Sequence, residues 1–306
     1  MKSLSITLVF ILINLSPLFA QYEWLPKYKK QKVDSLKKIL EAETFKRQQV
    51  LAEVSDSLQR VQRDSAMVAI QEDREKAKLE QGKIVLKALE ALSKSDTTSL
   101  QISYTSLKQI PFSVYRLKKL ERLSFTSSEL EEISPNLTKK LIQLKWLNLN
   151  ANQLTSNAIK FAKNTTIKRL MLAKNQLLTI PKSIKKLKGL EYLDLSGNRL
   201  GNGKRVKIRK LKNLESLDLS QNNLTEIPRG LQKLKKLKRL KLDKNQISDL
   251  KRIKKLKNLK ELTVSFNPID FGPKECFYLK NLSRLVMQKC ELIYISTCSE
   301  FNITYF

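Results

Sequence analysis

One pattern recurs nine times along this chain of 306 residues, and it constrains the fold more than any other feature. Leu144, Leu147 and Leu149 are followed by Asn152 and Leu154; Leu190, Leu193 and Leu195 by Asn198 and Leu200; Leu214, Leu217 and Leu219 by Asn222 and Leu224. The units start at residues 97, 120, 144, 167, 190, 214, 237, 259 and 282, a period of 22 to 24. The first and last are degenerate, with Thr105 and Cys290 where the others carry Asn or Ser. In each L-x-L the two apolar side chains leave a short strand on the same side. A unit this short buries them only against its neighbours, so successive strands must stack in parallel. The Asn column from Asn152 to Asn267 then runs buried, where each amide needs backbone partners at the turn that leaves the strand.

Written out, the pattern is L-x-x-L-x-L-x-x-N/C-x-L, and residues 97–305 resemble the leucine-rich-repeat family. Ile110-Pro111, Ile180-Pro181 and Ile227-Pro228 sit where the 23-residue, Ras-group subclass of bacteria, plants and animals has I-P. The resemblance implies an α/β solenoid with a curved parallel sheet of short strands, about nine repeats over 97–306. It implies that the concave sheet face does the binding and that the returning segments form the convex side. On function it says little else.

Ahead of the repeats lie three segments. Residues 1–20 have a positive start at Lys2, an apolar run from Leu4 to Leu15, Pro17, and Ala20 before a polar stretch. They read as an export signal cut after Ala20, the alternative being an uncleaved membrane anchor. Once it is removed, no transmembrane segment is expected. Residues 21–28 read as a linker, and 29–95 as a helical stalk and N-terminal cap. The stalk has no Pro, a single Gly82, and apolar residues spaced by three and four. It is one helix or two broken near Gly82, and an interrupted heptad stripe leaves a coiled coil or oligomerisation through the stalk open. Both ends of a solenoid need covering. The Val85, Leu89, Leu92 face is the N-terminal candidate, and Ile303, Tyr305 and Phe306 are candidates at the other end.

Chemistry is mostly excluded. The chain has no histidine, which removes the usual general base and metal ligand, and it lacks a Gly-rich phosphate loop. No catalytic residue, metal or cofactor is expected. Cys276 and Cys298 fall at nearly equal places in the last two repeats, within disulfide reach if stacked; the alternative is two buried thiols. Asp194 and Asp218 are stacked likewise, in an L-D-L-S string that is ordinary repeat sequence.

Two surfaces remain. The residues two places after each start put Arg122, Trp146, Arg169, Tyr192 and Arg239 in one concave column, the composition of an interface hot spot. A protein partner is expected there. The chain's net charge is +30, and the repeats hold most of it, in lysines of the returning segments. That face is either a solvated, solubilising surface or one that adheres to an anionic polymer or lipid, the structural envelope reading. Nucleic acid is not expected, because lysine dominates and no aromatic side chains interleave with these runs.

Overall fold

The computed structural model describes residues 27–92, 96–164, 166–203, 206, 208, 210–269, 279–288 and 302–304. The chain divides into two units, Met1–Asp73 and Arg74–Phe306. A single helix, α1 (Lys27–Leu92, 66 residues), begins in the first and ends in the second. It starts two residues inside the expected linker and runs unbroken through Gly82. Within the first unit Leu51, Val54, Leu58 and Val61 are exposed.

In the second unit each repeat contributes one strand. β1 (Ser99–Ser103) and β2 (Arg122–Thr126) are five residues long. Three-residue strands follow: β3 (Trp146–Asn148), β4 (Arg169–Met171), β5 (Tyr192–Asp194), β6 (Ser216–Asp218), β7 (Arg239–Lys241), β8 (Glu261–Thr263), β9 (Arg284–Val286) and β10 (Asn302–Thr304). They form one open ten-stranded sheet in sequence order, all parallel, with Leu123, Leu147, Leu170, Leu193, Leu217, Leu240, Leu262 and Leu285 in one register line. β10 is a tenth rung beyond the nine read from the pattern. Ile303 is in register with Leu285 there.

What happens after each strand is the same in nearly every repeat. The ladder continues past the strand, with Leu172 donating to Asp194 and Leu195 to Asp218, each at 2.9 Å. A residue with left-handed φ then turns the chain: Ala151 at 56°, Lys174 at 54°, Gln221 at 55°, Lys244 at 53°. The buried Asn comes next. Asn198 Nδ2 donates to Leu172 O at 2.9 Å and Leu195 O at 3.0 Å, and its Oδ1 accepts the Leu177 N–H at 3.0 Å. One amide thus closes its own turn and ties it to the preceding repeat. Asn152, Asn175, Asn222, Asn245 and Asn267 do the same. The first repeat has no preceding repeat, and there Thr105 takes the place, its buried hydroxyl without a partner.

The return to the next strand runs through short 3-10 helices, two of them entered from Pro111 and Pro181, where the fixed φ of proline suits a helix start; a one-turn helix, α2 (Asn136–Lys140), serves the second repeat. Leucines from strands and returns merge into one core. At the N-terminal end Leu89 of α1 is buried to 2% exposure and Val85 packs beside it. Leu92, expected on the same face, is 36% exposed instead. The face that docks is Lys78, Gly82, Val85 and Leu89: Gly82 lies against Leu107, and Lys78 pairs with Glu129 at 2.7 Å. Spacings of three and four put these four on one side of the helix, whereas Leu92 falls past the end of the contact. Cys276, Cys290 and Cys298 lie outside the described residues, as do residues 1–26.

Candidate functional site

The sheet face is built by the residues that alternate with the buried leucines. Its first column runs in register from Ser99 through Arg122, Trp146, Arg169, Tyr192, Ser216, Arg239, Glu261 and Arg284 to Asn302. The structure therefore places all five expected residues, Arg122, Trp146, Arg169, Tyr192 and Arg239, on one line one strand apart, except that Ser216 separates Tyr192 from Arg239. Parallel strands sit about 4.8 Å apart, so Arg169 stands directly between the two aromatic side chains. Trp146 and Tyr192 are half-buried, the three arginines exposed, and Ser216 buried. The small serine leaves a step beside the Tyr192 ring.

A second column, two residues on, supplies Asn148, Met171, Asp194, Asp218 and Lys241. Met171 adds apolar area next to Arg169 and Tyr192, and sequence reading passed over it. Its signal was an apolar residue at the middle of L-x-L, where the other central repeats are polar. Asp194 and Asp218 are neighbours in register, and each is occupied by its own turn: Asp194 accepts from the Ser196 N–H at 2.9 Å and hydroxyl at 2.7 Å, Asp218 from the Ser220 N–H at 2.9 Å. Lys241 stands 3.8 Å from Asp218. The acids are turn formers first.

Electrostatics divides the face in two. Burial raises the Asp218 carboxyl above its ordinary pKa; the Ser220 hydrogen bonds oppose this, Asp194 reinforces it and Lys241 opposes it. Tyr192 is also raised, by burial and then by Asp194 and Asp218, with Arg169 and Arg239 pulling the other way. Beyond Arg239, Arg284 is paired with Glu261 at 3.2 Å. Among the described residues Arg122, Arg169 and Arg239 have no such carboxylate partner. Beside the first column, the residues just before each strand form a ladder of ion pairs, Glu121–Lys145 at 2.6 Å, Lys168–Glu191 at 2.8 Å and Glu215–Lys238 at 2.9 Å. The unpaired cations and the aromatics thus sit together at the middle of the sheet. Among the described residues no cluster of His, Cys, Asp or Glu could hold a metal ion.

An open sheet of one strand per repeat, locked by a buried Asn column, defines a parallel solenoid repeat protein, a class that binds through extended concave surfaces. Its repeats are leucine-rich repeats: two leucine-rich-repeat models match residues 206–247 and 189–211. A leucine-rich-repeat protein of Leptospira interrogans is similar in structure, 30% identical with a TM-score of 0.52, the match covering 64% of this chain and 55% of that one. Internalin C2 of Listeria monocytogenes shares the fold at 24% identity and a TM-score of 0.50, over 62% of this chain and 83% of its own. A probable serine/threonine-protein kinase of Dictyostelium discoideum is 35% identical over 102 residues, 32% of this chain but only 3% of the kinase. That partial match speaks to repeats and not to phosphoryl transfer. Leucine-rich-repeat proteins typically mediate protein–protein interaction.

Proposed function

We propose that this chain is an exported recognition protein that binds a protein partner through the sheet face around Trp146, Arg169 and Tyr192. The observation that carries the reading is the in-register line Arg122–Trp146–Arg169–Tyr192. Half-buried aromatics supply area at small entropic cost, and arginines that pair with no carboxylate among the described residues are ready to meet those of a partner. Neither group has a role in the leucine core beneath. The step at Ser216 gives an incoming side chain a place beside the Tyr192 ring. Export rests on the signal-like Met1–Ala20 stretch. It agrees with the finding that, among the described residues, no helix is long and apolar enough to cross a membrane.

The test is capture from an envelope extract at low and at moderate salt, followed by affinity measurement on the captured protein. Trp146→Ala/Tyr192→Ala is expected to weaken binding by about 2 kcal/mol or more, roughly thirtyfold, at both salts. Capture indifferent to these two side chains and abolished by salt would refute sheet-face recognition.

A further inference from the structure

The return side of the repeats carries a second surface, independent of the sheet face. Seven successive return segments, within residues 110–120, 133–145, 155–168, 176–190, 199–214, 227–238 and 250–260, contain lysine or arginine and no aspartate or glutamate. In these seven repeats the acids fall in the strands, just before them or in the loops just after, whereas the eighth return carries Glu275. Such segregation is more than an excess of lysine: a merely solubilising surface mixes the two signs.

The cations are also in line. One residue before the inward-pointing residue of each return, which is Asn164 in the third and leucine in the others, a first rail runs from Arg116 and Lys140 through Lys163, Lys186, Lys210 and Lys233 to Lys255, one per repeat. One residue after that leucine, a second rail holds Lys188, Lys212, Lys235, Lys257 and Lys280. Every one of these side chains is exposed, and among the described residues none is in an ion pair. Between the rails the surface is grooved. A groove of about 490 Å³ is lined by Ala162, Lys163, Lys185, Lys186, Lys188 and Lys210. Another of about 420 Å³ draws on both rails through Lys235, Lys255 and Lys257.

We infer that this track is a docking surface for a linear acidic polysaccharide laid across the repeats. A polymer with one carboxylate per sugar ring repeats a negative charge regularly along its length, as the rails repeat a positive one from repeat to repeat, and two rails neutralise it from both sides. A bilayer is the poorer fit. Besides charge it rewards apolar insertion, and among the described residues the exposed large apolar side chains of the return side, Phe112 and Ile142, lie in the first two repeats, not along the lysine track. Nucleic acid is poorer still, for want of aromatic platforms between the lysines and of the arginine fork that suits phosphate.

The experiment titrates a fluorescent polyuronate oligomer with the chain and with two variants of equal charge. Lys186→Gln/Lys188→Gln/Lys210→Gln/Lys212→Gln empties two adjacent rungs of the track. Lys87→Gln/Lys174→Gln/Lys241→Gln/Lys244→Gln removes as many cations outside the returns. The expected result is at least a tenfold loss for the first and less than threefold for the second, with thermal melting showing both folded. Oligomers too short to cross four repeats should bind more weakly than longer ones. Equal losses in the two variants would make the attraction a matter of net charge alone and overturn the inference. So would absence of polyuronate binding, or tighter binding to phosphatidylglycerol vesicles or single-stranded DNA.

Discussion

At the scale of single residues, the buried Asn is the group on which most rests. Asn198 satisfies a Leu177 N–H and two carbonyls that no water reaches. Removing one partner of a buried hydrogen bond leaves the other's desolvation uncompensated, about 1–3 kcal/mol each. Asn198→Ala should therefore cost on the order of 3 kcal/mol in a denaturant titration, far more than truncating an exposed neighbour such as Gln176. Asp218 makes the opposite case. Its folded pKa is raised, chiefly by burial, so the native state holds its proton to higher pH than the unfolded chain does. The stability tied to this group is then complete below the unfolded pKa and is lost as pH rises through the folded one. Asn148 fills the same column and accepts the Asn150 N–H at 3.1 Å with its amide oxygen, the bond that Asp218 makes to Ser220. Asp218→Asn should thus keep the turn and melt higher than the parent at neutral pH, the difference shrinking on acidification. A melting series across pH 3–8 checks this; a variant less stable at neutral pH would mean that the Lys241 contact outweighs burial.

At the scale of elements, the cap shows what a sequence pattern conveys and what it does not. Strand positions β1 to β9 follow directly from L-x-L, because the leucines must face one core and a one-residue slip would turn all of them out. The five first-column residues were placed for the same reason. The tenth strand, Asn302–Thr304, escaped because no L-x-x-L-x-L frames it, and it forms by pairing with a ready edge. The end of the α1 contact escaped because helix periodicity tells which residues share a face but not where the neighbouring repeat stops, so Leu92 looked equivalent to Leu89. Gly82 reads in the sequence as a possible break, since a glycine weakens a helix; here the helix runs through it and it lies against Leu107, where an added Cβ would sit 3.7 Å from Leu107 Cδ2. That is ordinary contact, so Gly82→Ala should stabilise by up to about 1 kcal/mol through helix propensity. Leu89→Ala empties a packed site and should cost about 3 kcal/mol. Hydrogen exchange offers the sharper readout: β1 and β2 should lose protection in the Leu89 variant while β6 to β8 keep theirs, as expected of a solenoid coupled only through nearest neighbours.

At the scale of the whole repeat array, the charges are arranged against themselves. The array holds 42 basic and 16 acidic residues over 97–306, and seven consecutive return segments contain no acid of their own. The ion pairs lie on the flank of the sheet and are open to water; Lys145 and Glu121, for instance, are 58% and 40% exposed. Each such pair contributes about 0–1 kcal/mol. The rails, by contrast, set like charges one repeat apart along the array. The Debye length is about 30 Å at 0.01 M salt and about 8 Å at 0.15 M, so at low salt each lysine feels those several repeats away and at physiological salt little beyond its neighbours. Repulsion summed along the rails therefore outweighs the exposed pairs, and sodium chloride should raise the melting temperature between about 0.01 M and 0.15 M. Chloride is the salt to use, since sulfate strengthens burial by exclusion and would mix the two effects. A melting temperature that falls with salt would show the ion-pair ladder to dominate, and the lysines of the return side to be no strain on the fold.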